Sequence, residues 1–233
     1  NVNQWGGTSL LTGASTYRIF DEGTRPSMRK IYNSDLYYEP YNTSVLVTSV
    51  KPPVFVHKSK LVLGVEKIPF TKWLPFLEQL SIDNGGTSGT LSSNGVTYAP
   101  VICYESVYGG FVAEQCRKGA EAIFVITNDG WWGNSAGHKQ HASIARLRAI
   151  ETRRYVARSA NTGISSIINQ RGEVIHATEY WTHDAFNATI QLNDEPTFYV
   201  TYGDVIGRSF TFVFFLLSAL TLVRYLRTFG KYF

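Results

Sequence analysis

Short apolar runs, separated by turn residues, occupy most of the chain before its last thirty residues. The runs at residues 44–50, 97–103 and 122–127 have the length and β-branched content of buried strands, and residues 54–58 predict an extended segment. Two more strands are predicted at residues 156–160 and 164–168. Apolar spacing typical of helices lies at residues 107–118, before Gly119, and at residues 141–154. This alternation of strands and helices predicts an α/β layered fold.

The remaining segments before the C-terminal region carry weaker signals. Residues 1–43 are polar and rich in turn residues, and we expect strands and loops that complete a sheet. Residues 81–95 predict a loop or a hairpin tip, and residues 133–137 predict a loop.

The C-terminal region has a different pattern. Residues 210–223 are apolar on all sides and uncharged, aromatic residues lie at both ends, and Arg224, Arg227 and Lys231 follow. These features favour a transmembrane helix, although a buried core helix is the alternative for so short an uncharged stretch. We therefore expect a domain at residues 1–203, a transmembrane helix at 204–227 and a tail at 228–233. The positive-inside rule predicts a cytoplasmic C-terminus and places the domain on the outer face of the membrane.

Composition narrows the possible functions. The chain has 233 residues, 44% of them hydrophobic, which is enough for one sizeable core. Its net charge of +4 comes from basic residues spread along the chain without a basic run, so nucleic acid is not an expected partner. Two cysteines do not indicate a disulfide framework. The first residue is Asn1, and we expect it to be a cut or processed end.

Cys103 is the first candidate for chemistry. It ends a predicted buried strand and precedes a turn into a helix, where the helix dipole stabilises negative charge. Glu105 lies two residues further on. The alternative interpretation makes Cys103 a small buried hydrophobic residue, which is the commoner role of a lone cysteine. We expect the other cysteine, Cys116, to be structural.

Two further groups of residues could contribute to a site. Lys58 ends an extended segment and Glu66 follows eight residues later, so the pair could stabilise an oxyanion or form a solvated edge. Trp131 follows a predicted strand, where it could line a ligand site or pack in the core. His138 and His141 could bind a metal, but a third ligand at a recognised spacing is missing, so we expect no metal site.

Several motifs in register resemble the nitrilase-like domain of apolipoprotein N-acyltransferases, from about residue 9 to the C-terminus. The final apolar helix distinguishes that family from soluble nitrilases and amidases. The family's Leu-Val-Pro-Phe-Gly-Glu is replaced here by Leu-Val-Leu-Gly-Val-Glu, so a proline is absent and the glycine lies one place earlier. The motifs are Lys58-Ser-Lys-Leu-Val-Leu-Gly-Val-Glu66, Ile102-Cys-Tyr-Glu105, Asn128-Asp-Gly-Trp-Trp-Gly-Asn-Ser135, Gln140-His141, Ala145-Arg-Leu-Arg-Ala-Ile-Glu151 and Asn161-Thr-Gly-Ile-Ser165.

The resemblance implies a four-layer αββα sandwich with a Glu-Lys-Cys triad. It assigns Cys103 as the nucleophile, Lys58 as the triad lysine and Glu66 as a further catalytic glutamate. It also implies that Tyr104, Glu105 and Trp131 shape or line the substrate site. The triad's general-base glutamate and the family's bundle of membrane helices have no match here, and we expect both upstream of residue 1.

The implied reaction moves an acyl chain from a membrane phospholipid, through a cysteine thioester, to the N-terminal S-diacylglyceryl cysteine of an apolipoprotein. It requires no cofactor, and it implies a bacterial inner-membrane protein with its catalytic domain on the periplasmic face. Two alternatives remain open. One is a membrane-tethered amidase or nitrilase of the same superfamily, and the other is an inactive membrane-anchored interaction module.

Overall fold

The computed structural model describes residues 6–23, 28–67, 85–86 and 89–229. Two β-sheets pack against each other, and helices cover the other face of the larger sheet. Two short 3₁₀ helices, Cys103–Val107 and Gly130–Trp132, follow strands of the larger sheet. In chain order the other elements are β1 (Leu10–Phe20), β2 (Arg29–Lys30), β3 (Tyr37–Val47), β4 (Val54–His57), β5 (Leu91–Ser93), β6 (Val96–Ile102), α1 (Gly109–Arg117), β7 (Ala122–Thr127), α2 (Ala136–Thr152), β8 (Val156–Ala160), β9 (Ser166–Ile168), β10 (Val174–Ala177), α3 (Phe198–Tyr202) and α4 (Val205–Phe229).

The smaller sheet is built around β3. Strand β1 pairs antiparallel along the full length of β3, from Leu10 opposite Val47 to Phe20 opposite Tyr37. Strands β2 and β4 also pair antiparallel with β3. Lys58 directly follows β4, so this sheet positions one of the predicted site residues.

The larger sheet has the strand order β10-β9-β8-β7-β6-β5. Its central strands β6, β7 and β8 run parallel, and the outer pairs are antiparallel. Because parallel strands end at the same edge of a sheet, the residues that follow Ile102, Thr127 and Ala160 lie close together.

Two hydrophobic clusters hold the layers together. One lies between the larger sheet and helices α1 and α2, and the other lies between the two sheets, where Leu46 packs with Leu91 and Tyr98. Gly13 in β1 allows the sheets to approach closely, since a Cβ there would lie 2.8 Å from the Ile126 side chain. The buried members of the first cluster are Ala99, Val101, Phe111, Val112, Ala120, Ile123, Val125, Ala145, Ala149, Val156 and Ile168.

The layers are therefore helix, sheet and sheet within the described residues. The second helical layer of the expected αββα sandwich does not occur among residues 6–23, 28–67, 85–86 and 89–229. Part of the predicted loop at 81–95, namely residues 81–84 and 87–88, lies outside the described residues. The rest includes β5 and the Asn94-Gly95 turn into β6.

Most predicted elements are confirmed, with shifted ends. The predicted strand at 44–50 is the second half of β3, which begins at Tyr37 and ends at Val47. The predicted helix at 141–154 begins earlier, at Ala136, because the Ser135 hydroxyl accepts a hydrogen bond from Gly137 N and caps it. Strand β10 was not predicted from the sequence.

Helix α4 projects from the domain with all of its described side chains exposed. Val205–Thr228 is the one helix in the described part of the chain that is long and apolar enough to cross a membrane. Its 25 residues correspond to about 38 Å, against a hydrocarbon thickness of about 30 Å. A core helix would be buried, so the absence of burial argues against that alternative.

Arginine side chains attach the segment before α4 to the domain. Arg117 Nη1 donates to the Val200 carbonyl at 2.5 Å, and Arg154 Nη1 donates to the Glu195 carbonyl at 2.8 Å. Val200 packs in a small cluster with Ala113 and Cys116. These contacts hold α3, which precedes α4, against helix α1.

Candidate active site

The predicted site residues lie where the two sheets meet at the carboxyl end of the parallel strands. Cys103 follows β6, Asp129 lies two residues after β7, and Lys58 follows β4 of the smaller sheet. Hydrogen bonds between the loops after β4 and β6 join the two sheets at this edge.

Cys103 adopts a backbone conformation that is unusual for a residue with a side chain. Its φ of +53° lies in the left-handed region, which costs a non-glycine residue about 1–2 kcal/mol. The turn places Cys103 at the start of the 3₁₀ helix Cys103–Val107, and its side chain is partly exposed. The sequence predicted the strand end but not this strained turn.

Lys58 and Glu66 form a close ion pair. Lys58 Nζ donates to Glu66 Oε1 at 2.6 Å and to Oε2 at 2.7 Å, and Lys58 is 1% exposed. Val62 N and Asn42 Nδ2 also donate to the Glu66 carboxylate, at 2.8 Å and 3.1 Å. The shifted glycine in this segment therefore does not prevent Glu66 from reaching Lys58. The pairing favours a buried charged site over a solvated edge.

Glu105 joins the cysteine turn to the lysine loop. Its Oε1 accepts from Ser59 N at 2.7 Å, Ser59 Oγ at 3.1 Å and Lys60 N at 3.2 Å. Its Oε2 accepts from Ile102 N at 2.9 Å. Burial raises the pKa of Glu105, and these hydrogen bonds oppose the rise. Glu105 therefore holds the residues next to Cys103 and Lys58 in a fixed relation.

A second buried polar cluster, formed by Asp129, His141 and Arg158, contacts the cysteine turn. Asp129 Oδ1 lies 2.9 Å from His141 Nδ1, and Asp129 Oδ2 accepts from Arg158 Nη2. His141 Nε2 lies 3.2 Å from the Cys103 carbonyl oxygen and 3.1 Å from Ser106 Oγ. Burial raises the pKa of Asp129, but the hydrogen bond with His141 and the charge of Arg158 outweigh it and leave the pKa below its ordinary value.

The predicted aromatic residues differ in their surroundings. Tyr104 is partly buried and packs edge-to-face on Tyr108, with the ring centroids 5.9 Å apart. Trp131 lies in the 3₁₀ helix after β7, at the same edge of the sheet, and is 80% exposed. Trp131 therefore is not a core residue, and its exposed indole is free to contact a ligand.

Sequence reasoning missed the roles of Ser106, Asp129 and Arg158. It considered His141 as a possible metal ligand and as part of the Gln140-His141 motif, but assigned it no hydrogen-bond partners. Both ring nitrogens of His141 face protein groups. One signal was available, because Arg158 lies in the middle of the predicted strand 156–160, and a buried arginine requires a buried acceptor. Which acceptor it meets depends on the pairing of β7 with β8, and sequence alone does not give that pairing.

The two cysteines are expected to react differently with iodoacetamide in the folded protein. Burial raises the pKa of the Cys116 thiol, and Cys116 is 5% exposed, so both thiolate formation and access are restricted. Cys103 is partly exposed at the edge of the sheet. Mass spectrometry of the native full-length protein should find Cys103 carboxamidomethylated and Cys116 unmodified.

The matched control is the same reaction in denaturant, in which both cysteines should be modified. Modification of Cys116 before Cys103 in the native protein would contradict this assignment of buried and accessible thiols.

The sequence is similar to a known protein family and to named members of it. The carbon-nitrogen hydrolase family model matches residues 22–196. The apolipoprotein N-acyltransferase of Chlorobaculum tepidum is 34% identical over 220 residues, which cover 88% of this chain and 41% of that protein. The protein of the same name from Agrobacterium fabrum is 37% identical over 58% of this chain and 28% of its own length. This chain thus spans less than half of the length of these two relatives.

Solved structures show the same fold. A cysteine-to-serine mutant of the Nesterenkonia AN1 amidase, from the nitrilase superfamily, matches 85% of this chain and 66% of its own chain, with a TM-score of 0.54 and 15% identity. Another mutant of that amidase, with acrylamide added at its active-site cysteine, gives a TM-score of 0.53 and 16% identity over 76% of this chain and 61% of its own. The expected nitrilase-type fold is confirmed.

Proposed function

This chain belongs to the carbon-nitrogen hydrolase family, and we propose that it transfers a fatty acyl chain from a membrane phospholipid to the N-terminal amine of a lipoprotein. The likeness to proteins named apolipoprotein N-acyltransferase carries the proposal, since it extends over most of the chain. Helix α4 supports it, because an enzyme whose donor lies in a bilayer gains from attachment to that bilayer.

Cys103 is the proposed nucleophile. It is partly exposed at the carboxyl end of the parallel strands, where α/β folds bind ligands, and its turn is fixed by Glu105 and by the cluster of Asp129, His141 and Arg158. A thiol held in one position is suited to attack a carbonyl carbon. Tyr104, Glu105 and Trp131 are proposed to shape the substrate site around it.

Lys58 is the proposed donor to the oxyanion, and Glu66 is proposed to hold it in place. The two hydrogen bonds from Lys58 Nζ to Glu66 leave the third ammonium hydrogen for a substrate oxygen. A buried ammonium group already fixed by a carboxylate stabilises negative charge without reorganising during the reaction.

The first half of the proposed reaction forms a thioester. A carboxylate accepts the proton of Cys103; the family's general-base glutamate has no match in this sequence, and we assign this base to a part of the protein outside it. Cys103 Sγ attacks the ester carbonyl of the phospholipid, and Lys58 stabilises the tetrahedral oxyanion. The carbon–oxygen ester bond then breaks, and the leaving oxygen takes the proton, which releases a lysophospholipid.

The second half transfers the acyl chain. The α-amino group of an S-diacylglyceryl cysteine attacks the thioester carbonyl, the carbon–sulfur bond breaks, and the amine proton returns through the base to Cys103. The products are an N-acylated lipoprotein and the free thiol, so neither a metal nor a nucleotide takes part in these steps.

The proposed arrangement in the cell is supported by helix α4 and by the likeness to apolipoprotein N-acyltransferases. Residues 1–203 form the catalytic domain on the periplasmic face of the bacterial inner membrane, residues 204–227 cross the bilayer, and the C-terminal tail is cytoplasmic. Arg224 and Arg227 at the end of the helix support this orientation.

A transfer assay with the full-length protein in proteoliposomes tests the proposal. The donor is a phospholipid with a labelled acyl chain, and the acceptor is a peptide that begins with S-diacylglyceryl cysteine. We expect the label on the peptide amine, with one lysophospholipid formed for each acyl chain transferred.

The matched acceptor has its α-amino group acetylated and should remain unlabelled. Labelled free fatty acid with either peptide, and no labelled peptide, would instead indicate a hydrolase of the same superfamily. No release of label from the phospholipid would favour an inactive interaction module.

A further inference from the structure

His141 is placed between two hydrogen-bond acceptors. On one side its Nδ1 faces the Asp129 carboxylate at 2.9 Å, and on the other its Nε2 faces the Cys103 carbonyl oxygen at 3.2 Å. A carbonyl oxygen and an ionised carboxylate can only accept. His141 Nδ1 also lies 3.3 Å from Arg158 Nη2, but its contact with the Asp129 carboxylate is the shorter one. For His141 to bond the Cys103 carbonyl, Nε2 must carry the hydrogen.

The contact with Ser106 is compatible with a hydrogen on Nε2. Its hydroxyl donates to the Cys103 carbonyl at 3.0 Å, so its oxygen is available to accept from His141 Nε2 at 3.1 Å. The Cys103 carbonyl thus has two side-chain donors, Ser106 from its own 3₁₀ helix and His141 from helix α2.

Arg158 and Thr127 fix the other end of the cluster. Arg158 Nη2 donates to Asp129 Oδ2, and Thr127 Oγ1 donates to Asp129 Oδ1 at 2.9 Å. Asp129, His141 and Arg158 are 0%, 3% and 3% exposed, so water competes little for these hydrogen bonds. The Asp129 carboxylate therefore orients the imidazole ring of His141.

We propose that His141, oriented by Asp129 and Arg158, is a positioning residue that holds the Cys103 carbonyl and so maintains the left-handed turn of the nucleophile. The inference rests on the proposed role of Cys103. The turn is intrinsically unfavourable at a φ of +53°, so outside contacts must hold it. Without the bond from Nε2, the turn relaxes and Cys103 Sγ moves from its attacking position.

Two amide substitutions separate this role from simple packing. In His141→Gln, the longer side chain places its amide near the former Nε2, where it can donate to the Cys103 carbonyl. In His141→Asn, the shorter side chain places its amide near the former Nδ1, where it can reach Asp129 but not Cys103. The variants therefore differ in which of the two contacts survives.

The experiment measures the rate of Cys103 acylation and amide hydrogen exchange of residues 103–108 in the full-length protein. We expect His141→Asn to lower the maximal acylation rate by about 100-fold, with the KM for phospholipid changed less than about threefold. His141→Gln should stay within about tenfold of the wild type. Exchange in residues 103–108 should accelerate in the Asn variant and not in the Gln variant.

His138 provides the matched control on the same helix. It is 1% exposed, stacks on Tyr180 with centroids 3.8 Å apart, and its Nδ1 has no hydrogen-bond partner among the described residues. Asn and Gln at position 138 should not differ in acylation rate or in exchange of residues 103–108.

If neither His141 variant folds, Ser106→Ala provides a second test, since it removes the other side-chain donor to the same carbonyl. We expect it to lower the acylation rate by about tenfold and to accelerate the same exchange. Equal acylation rates and equal exchange in the two His141 variants, or a Ser106→Ala variant identical to the wild type, would overturn the proposal. If the wild type forms no acyl adduct, the function proposed for Cys103 fails, and hydrogen exchange alone still decides whether His141 holds the turn.

Discussion

Replacing Lys58 with methionine is expected to lower the rate of Cys103 acylation by about 1000-fold. The variant keeps most of the side-chain volume and removes the only group proposed to donate from the lysine loop to the oxyanion. Lys58 is 1% exposed and donates to both oxygens of Glu66. Because the site is buried, a cation from the solvent cannot replace the lost ammonium group. The KM for phospholipid should change far less than the maximal rate, since the oxyanion exists only in the chemical step.

Lys60 is the matched control for this prediction. It has the same charge two residues away and is exposed, and its contact with Glu105 uses the backbone N, so Lys60→Met preserves that contact. The control variant should acylate within about threefold of the wild type, because screened surface charges contribute little. A Lys58→Met rate within tenfold of the wild type would remove Lys58 from the chemistry.

The second large effect is expected on stability, from Glu105→Ala. Four donors in the cysteine turn and the lysine loop would lose their acceptor, in a site where Glu105 is 2% exposed. The bond from Ile102 N is buried and the three bonds from Ser59 and Lys60 are partly buried, so their loss should lower the free energy of unfolding by about 2–4 kcal/mol. Thermal unfolding of the full-length protein in detergent should show a fall in Tm of about 10 °C.

Glu114→Ala is the comparison variant. Glu114 lies on α1, its side chain is 47% exposed, and it pairs with Lys118 across one helical turn at 2.8 Å. Such surface pairs contribute about 0.3–0.5 kcal/mol, so the Tm should change by less than about 3 °C. Equal Tm values for the two variants would show that Glu105 does not join the two loops.

The sequence predicted those parts of the fold that are encoded by local apolar runs. Strands β6 and β7 are largely buried, so each appears as a mostly apolar segment with clear ends. Strand β8 is only partly apolar, because it contains Arg158 and an exposed serine. The first half of β3 contains Glu39, Pro40 and Asn42, and its pairing with β1 and β2 makes it a strand. The start of α2 depends on a single cap at Ser135, which the apolar spacing does not reveal.

In the candidate site too, the sequence predicted what local motifs encode and missed what depends on packing. The resemblance indicated that Lys58 and Glu66 act together, and the structure places them in direct contact. The bridge from Glu105 to Ser59 and the contact of His141 with the Cys103 carbonyl join residues more than thirty positions apart. These contacts follow from the packing of the two sheets and of α2, so no local pattern could predict them.

Intact-mass analysis tests the central claim most directly. The full-length protein is incubated with phospholipid in the absence of acceptor, beside Cys103→Ala and Cys116→Ala variants. An acyl adduct in the wild type and in Cys116→Ala, absent from Cys103→Ala and removed by hydroxylamine, is the result predicted for a thioester at Cys103. An adduct that persists in Cys103→Ala, or that resists hydroxylamine, would contradict the account.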